Sequence, residues 1–332
     1  IKISGASDAD LNGEARVISH TSTTTSWATT ATDGSKTGTI KIRYAPVGGW
    51  EQSYSKTNVA VFKSTDAAAN GHYLRVADNY SGAAAQNGRV VGYTGMTDVD
   101  TGTGPFPTNS QISGGGYWRK SQLNNADAVP WWIVGDSRFF VPFFLTGYPQ
   151  SASYVYGVPY AFGDPIAMAP GGDSWSTMLA SASANALDSA LLYGSVAGIN
   201  AFSSYYGGLV AARALGGAGG AKAAAGLSFC GQSAIYVSGS DPGLGAGPST
   251  VDGRVFFSQR YLALSDTDKT PRAIIPGVAQ IPQQVPEATF ASGDTVAGTG
   301  SLAGRRVMLW RLGDSAGAFS GVLGIDITGP WR

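Results

Sequence analysis

Short apolar runs set between turn-forming residues recur along almost the whole of this chain, and they leave little room for a helix. "HYLRVAD", "GRVVGYTGM", "RVFFSQRYLAL", "RAIIPGV", "RRVMLWRL" and "VLGIDITG" have the length and the β-branched or aromatic content of strands. Glycine is the main punctuation, at 47 of 332 residues, about twice the usual share. Aromatic residues still make up 11% of the sequence, so the chain has the bulk to fill a core and is no disordered glycine-rich tract. The expected fold is all-β, with glycine-rich turns and a sandwich-like or barrel-like body.

Within that frame, residues 1–45 read as a small N-terminal β unit. Its asparagine-glycine and Ser/Thr turns lead into an alternating strand from Thr39 to Tyr44. Residues 46–332 read as the main body, with a subdivision expected near 150–175. The chain begins at Ile1 in what reads as a strand already under way, so further residues are expected upstream. "PWWIVGDSRFFVPFFLTGY" is the most aromatic stretch and reads as a central hairpin around Gly-Asp-Ser. Alternation puts Trp131, Ile133, Phe139, Val141 and Phe143 on one side, and Trp132, Val134, Phe140 and Phe144 on the other. Pro142 makes the second strand an edge or a bulge. The Ala/Gly-rich segment 174–226 reads as small-residue strands, because its glycine pairs cost a helix about 1 kcal/mol per residue.

Charge and cysteine content remove several function classes. Lys plus Arg balances Asp plus Glu at 22 each, and charged residues are 13% of the chain, against about a quarter in an average protein. No polyanion-binding field follows from such a balance, and nucleic acid is not an expected partner. The single cysteine, Cys230, permits no internal disulfide, and two histidines, His20 and His72, offer little to a zinc site. No cofactor is expected. The longest apolar zone, around 178–226, is interrupted by Asp188, Asn200, Arg213 and Lys222 before it reaches the roughly 18 residues of a membrane span.

Four places invite a chemical reading. "TDVDTGTGPFPT", residues 97–108, puts Asp98 and Asp100 at calcium-ligand spacing, but Thr103 and Asn109 stand where a helix-loop-helix site needs glycine and glutamate. A looser metal loop remains one reading; the other is a pair of aspartates bonding their own backbone, with Pro105 and Pro107 stiffening the exit. "GDSAG", residues 313–317, matches a nucleophile elbow at Ser315. Yet a strand follows where a helix is required, and no histidine comes after the serine. Cys230 reads as a small buried residue, and His72 as a strand-surface residue. The three glutamates (Glu14, Glu51, Glu287) and the many aspartates single out no glycosidase pair. The chain is read as a non-enzyme with no catalytic residues.

Contact residues are easier to nominate. Trp50, Tyr117, Trp118, Tyr205 and Tyr206 could stack on sugars, anchor an interface, or simply fill the core. In the ending "DITGPWR", Pro330 is stiff and Trp331 offers a large apolar area, so the tail is expected to be tied down on this chain or a neighbour.

The order of "SGASDADLNGEARVIS", "RVVGYTGMTDVDTGTGPFPT", "GGGYWRKS", "PWWIVGDSRFF", "YAFGDPIA" and "DITGPWR" resembles a family of structural proteins of tailed bacteriophages and prophages. The similarity covers most of the chain and is strongest from Arg89 to Phe140 and over the last seven residues. It implies a virion location, in the tail or its tip, and a symmetric oligomer whose partners are copies of itself and other virion proteins. It brings no catalytic residues. Pro105, Phe106, Pro107, Trp118, Pro330 and Trp331 are the residues expected at interfaces. The alternative is a tail module that binds a receptor or host cell-surface glycan through its aromatics, or, further off, a glycan depolymerase.

Overall fold

The computed structural model describes residues 1–15, 17–43, 48–79, 86–121, 128–145, 157–168, 176–182, 208–213, 221–227, 247–263, 272–281, 283, 285, 289–313 and 319–332. The protein is nearly all-β and divides into two compact units, Ile1–Gly49 and Trp50–Arg332.

The first unit is built from β1 (Lys2–Ala6), β2 (Gly13–Glu14), β3 (Val17–His20), β4 (Thr25–Trp27) and β5 (Gly38–Arg43). β1 lies between β2 and β5 in an antiparallel sheet, with Ile3 opposite both Gly13 and Ile42. β3 and β4 form a hairpin. A 3-10 turn, Ala9–Leu11, joins β1 to β2 and is capped by Asp8, whose carboxylate accepts the Asp10 N–H at 3.1 Å. Ile3 is the buried hydrophobic side chain of this unit among the described residues.

The second unit opens with a meander of β6 (Trp50–Lys56), β7 (Val59–Ser64), β8 (Tyr73–Ala77) and β9 (Asn87–Tyr93). A short ladder of β10 (Gly95–Met96) and β11 (Gly102–Thr103) follows, and β12 (Gly116–Arg119) returns beside β9. Next come β13 (Trp131–Gly135), β14 (Phe139–Phe144), β15 (Val158–Pro159), β16 (Ala161–Gly163) and β17 (Ile166–Ala167). The remaining strands are β18 (Met178–Ala182), β19 (Gly208–Arg213), β20 (Ala221–Leu227), β21 (Ser258–Ala263), β22 (Ala273–Gln280), β23 (Thr295–Ala297), β24 (Arg306–Gly313) and β25 (Phe319–Asp326). All that is described between 174 and 226 in regular structure is strand.

Antiparallel pairing runs β14–β16–β18–β19–β20–β21–β22–β25–β24, and the circuit closes where Gly157, just before β15, bridges Leu312. The body is therefore a closed barrel. Strands on both sides of 150–175 belong to this one circuit.

Alternation along β14 gives the barrel its two surfaces. Phe139, Val141 and Phe143 point inward and join Met178, Ala180, Leu262, Ile275, Trp310, Leu323 and Ile325 in the principal core. Phe143 stacks on Trp310 with centroids 4.6 Å apart. On the outer side, Phe140 and Phe162 are covered by the meander: Trp50 meets Phe140 edge-on at 4.8 Å, and Trp118 stacks on Tyr160 at 5.7 Å. A smaller core around Val255, Ile281, Val307 and Leu309 lines the outside of β24.

The hairpin expected from "PWWIVGDSRFFVPFF" is present, but its faces differ from the sequence reading. Trp132 lies opposite Phe143 and Val134 opposite Val141, so these pairs share the inward face, while Trp131 and Ile133 stand outside, 45% and 41% exposed. The last cross-strand pair is Gly135 with Phe140, so four residues, Asp136–Phe139, separate the paired positions; this even number sets odd positions opposite even ones and so reverses the parity assumed from simple alternation. Pro142 does not make β14 an edge, because β14 is paired on both sides. The proline falls where the neighbour changes from β16 to β15, and there its carbonyl accepts the Tyr160 N–H at 2.9 Å.

Candidate functional site

The proline-rich loop after β9 folds by satisfying its own polar groups. The Asp98 carboxylate accepts the N–H groups of Asp100 and Thr101 at 2.7 and 2.8 Å. The backbone bond from Asp100 is the first reason that this carboxyl titrates below its ordinary range. Asp100 is held by Lys56 at 2.5 Å and Arg75 at 2.9 Å, and its hydrogen bond with Lys56 contributes most to lowering its pKa. Arg75 also donates to the Val99 carbonyl at 2.7 Å.

As a metal loop this arrangement fits poorly. One oxygen of Asp98 serves two backbone donors, both oxygens of Asp100 face cations, and no group of three candidate ligands exists among the described residues. Of the two sequence readings, the backbone turn describes Asp98. Asp100 belongs instead to ion pairs with the meander.

The second half of the loop is anchored inward. Phe106 is fully buried, exchanges backbone hydrogen bonds with Gly92 at 2.8 Å each way, and places its ring 5.8 Å from His72 and 6.3 Å from Phe162. Pro107 is buried beside it, and Pro105 is half-buried. Trp118 is buried too, donating its indole N–H to the Ala180 carbonyl at 2.8 Å. Neither Phe106 nor Trp118 presents a ring to a neighbour, which corrects their selection as interface anchors: the aromatic layer between meander and barrel takes both.

Of the sugar-stacking candidates, Trp50 and Tyr117 are engaged within the chain. Trp50 is buried and donates to the Asp136 carbonyl at 2.9 Å, while Tyr117 lies under the Arg89 guanidinium at 3.8 Å. Tyr205, Tyr206, Cys230, Glu287 and Ser315 lie outside the described residues. Around Ser315, β25 starts at Phe319 and pairs back onto β24, where a nucleophile elbow would require a helix.

The tail packs on its own chain. Trp331 lies over Gly277, where a β-carbon would come within 2.1 Å of the indole; its N–H donates to the Asp326 carbonyl at 2.9 Å, and its ring meets Phe139 edge-on at 6.4 Å. Pro330 is exposed, with its carbonyl accepting from Arg305 at 2.9 Å. Arg332 donates to the Asp136 carboxylate at 2.9 Å and to the Asp164 carbonyl at 2.7 Å.

One polar cluster escaped the sequence reading. The Thr177 hydroxyl donates to Asp164 at 2.6 Å, and its oxygen lies 2.6 Å from His72 Nδ1 and 3.3 Å from the Asn70 amide. Asn70 also gives its N–H to the second Asp164 oxygen at 2.7 Å. Hydroxyl, imidazole and carboxylate are therefore together, but in the wrong order for nucleophilic catalysis. The hydroxyl stands between the other two, whereas a triad needs the imidazole in the middle. Thr177 is also only 1% exposed, out of reach of a substrate. Burial pushes the Asp164 carboxyl up. His72 is thus half-buried just ahead of β8, not a strand-surface residue. The cluster fastens the β7–β8 connection to the barrel, and nothing in the local sequence signalled it, since His72 and Thr177 are 105 positions apart.

Protein-family models give no match to this chain, and the curated proteins give none either.

Proposed function

We propose that this chain is a structural subunit of a tailed-bacteriophage particle, in the tail or its tip, acting as a homo-oligomer against other tail proteins. The reading is carried by the motif series, whose densest part runs from Arg89 to Phe140. The same residues hold the meander on the barrel: Phe106 and Trp118 fill the layer between them, Asp100 ties the loop to β6 and β8, and Asp136 receives Trp50 and Arg332. A segment whose polar groups are used internally suits a part that keeps a fixed shape while neighbours pack against it, because little entropy is then lost on assembly.

The outward side chains of β13 supply a contact surface for that role. Trp131 and Ile133 stand outward on a strand that carries no charged residue, which leaves an apolar outer face. In this reading the protein makes and breaks no covalent bond. Electron microscopy of particles assembled without this gene tests it: the expected result is incomplete or tailless particles, and normal infectious ones would overturn it.

A further inference from the structure

The first unit contains an open cleft of about 330 Å³ between the 3-10 turn and the end of β4. Its wall is apolar, formed by Ile3, Leu11 and the half-buried Trp27, and its rim carries Asp10, Glu14 and Thr29. Ligand sites span roughly 300–1,000 Å³ and combine such an apolar wall with a few placed polar groups, so this one has room for a mono- or disaccharide. We propose that the cleft binds a neutral sugar, with the pyranose C–H face on Trp27 and its hydroxyls on the acidic rim.

Three observations select that chemistry. Asp10 and Glu14 are exposed and, among the described residues, neither carboxylate has an ion-pair or hydrogen-bond partner, so both can accept hydroxyl protons. The nearby Lys36 is engaged with Asp8 at 2.8 Å. At an exposed rim, salt and water weaken the field of two carboxylates, which favours directional hydrogen bonds from hydroxyls over capture of a bare cation. A uronic or sialic carboxylate would have to sit at contact distance from these two charges, where screening is least, and is disfavoured. Trp27 adds a flat apolar surface at small entropic cost, the usual service of an indole at a binding site.

The rim is also fixed in advance. The Asn12 amide donates to the carbonyls of Ala6 at 3.0 Å and Asp8 at 3.3 Å, and its oxygen accepts the Ala6 N–H at 3.0 Å. Thr29 reaches across to the Asp10 carbonyl at 3.4 Å. A cleft held by its own backbone loses little freedom when a ligand enters. The cleft is lined wholly by residues 3–30, all within the first unit.

The test is binding of the full chain to an array of neutral gluco-, galacto- and manno-configured oligosaccharides beside sialylated ones, followed by titration with the best neutral sugar. Saturable binding to a neutral class, with no sialylated preference, is expected. Trp27→Ala should weaken it by about tenfold or more, Trp27→Phe should retain most of it, and Asp10→Asn and Glu14→Gln should each weaken it several-fold. The two rim residues are exposed, so their variants stay informative if Trp27→Ala fails to fold. No saturable binding to any neutral sugar, binding indifferent to all these changes, or a preference for sialylated sugars or choline would overturn the proposal. Particle morphology plays no part in this readout, so it can fail while the assembly reading stands, and the reverse.

Discussion

The Phe106 ring occupies the space of a side chain at Gly92: a β-carbon there would stand 2.3 Å from its Cε2 and Cζ atoms. Glycine at this strand position lets the loop lie flat on β9, and two backbone hydrogen bonds fix the approach. The proline-rich loop is a clamp whose hinge is a missing methyl group.

Two substitutions test the clamp from opposite sides. Gly92→Ala should cost about 1–3 kcal/mol by overpacking, and Phe106→Ala about 3–5 kcal/mol by opening a cavity. Denaturant unfolding of the full chain measures both. The double variant should cost less than the sum, because the alanine then partly fills the space that the ring has left. Strict additivity would mean that the ring and the glycine are not coupled.

Asp66 and Asp164 predict opposite pH dependences. Asp66 accepts from the Ser137 hydroxyl at 2.6 Å and from Arg138 at 2.9 Å, and these bonds, that of Ser137 first, hold its carboxyl well below the ordinary range. Its folded pKa lies below the unfolded value of about 3.9. The stability it adds is thus fully present above that value and fades as pH falls towards the folded pKa. Asp164 has the reverse sign. Burial raises its pKa, so the folded state binds the proton more tightly, and stability is lost as pH climbs from about 3.9 through the folded value. Asp66→Asn should lower stability near neutrality and flatten its acid limb in denaturant unfolding. Carboxyl carbon shifts should show Asp164 titrating above an ordinary aspartate; a normal midpoint would contradict the burial argument.

What the sequence revealed, and what it hid, follows from the range of each interaction. Strand existence is local: β-branched and aromatic runs between glycines were enough to expect an all-β body, and even the alanine-rich β18, β19 and β20 could be read from the glycine pairs that exclude helix. Facing is less local, because the register that pairs Gly135 with Phe140 across four intervening residues put Trp131 and Ile133 on the outside. Long-range partners left no trace. That Phe106 inserts beside Gly92 and Phe162, that Trp118 reaches Ala180, and that His72 meets Thr177 are outcomes of barrel closure. Trp50, Phe106 and Trp118, nominated for contact, were therefore claimed by the core, while the Trp27 cleft stayed unseen because its walls come from three separated turns and strands.

Trp331 and Gly277 provide a third prediction. Gly277 has φ +68°, and a β-carbon there would press on the indole, so Gly277→Ala combines a strained backbone with a clash. It should displace the tail, with a loss of near-ultraviolet circular dichroism and faster proteolysis after Asp326. Trp331→Ala should cost about 2–4 kcal/mol, less than a fully buried tryptophan, since the ring is only half-buried. An unchanged near-ultraviolet signal in both variants would show that the indole is not seated there.

The last prediction concerns β13. Trp131 and Ile133 lie on the outer face of this strand, 45% and 41% exposed. If copies of the chain meet there, Ile133→Glu places a charge in each contact and should shift the assembly towards monomer in sedimentation experiments. The fold should be nearly untouched, because exposed substitutions away from special features change stability by about 0.5 kcal/mol or less. Gln52→Glu, an exposed change on the meander, serves as the control and should leave the sedimentation profile as it was. Subunits that assemble as well after the Ile133→Glu change as before it would remove β13 as the contact strand.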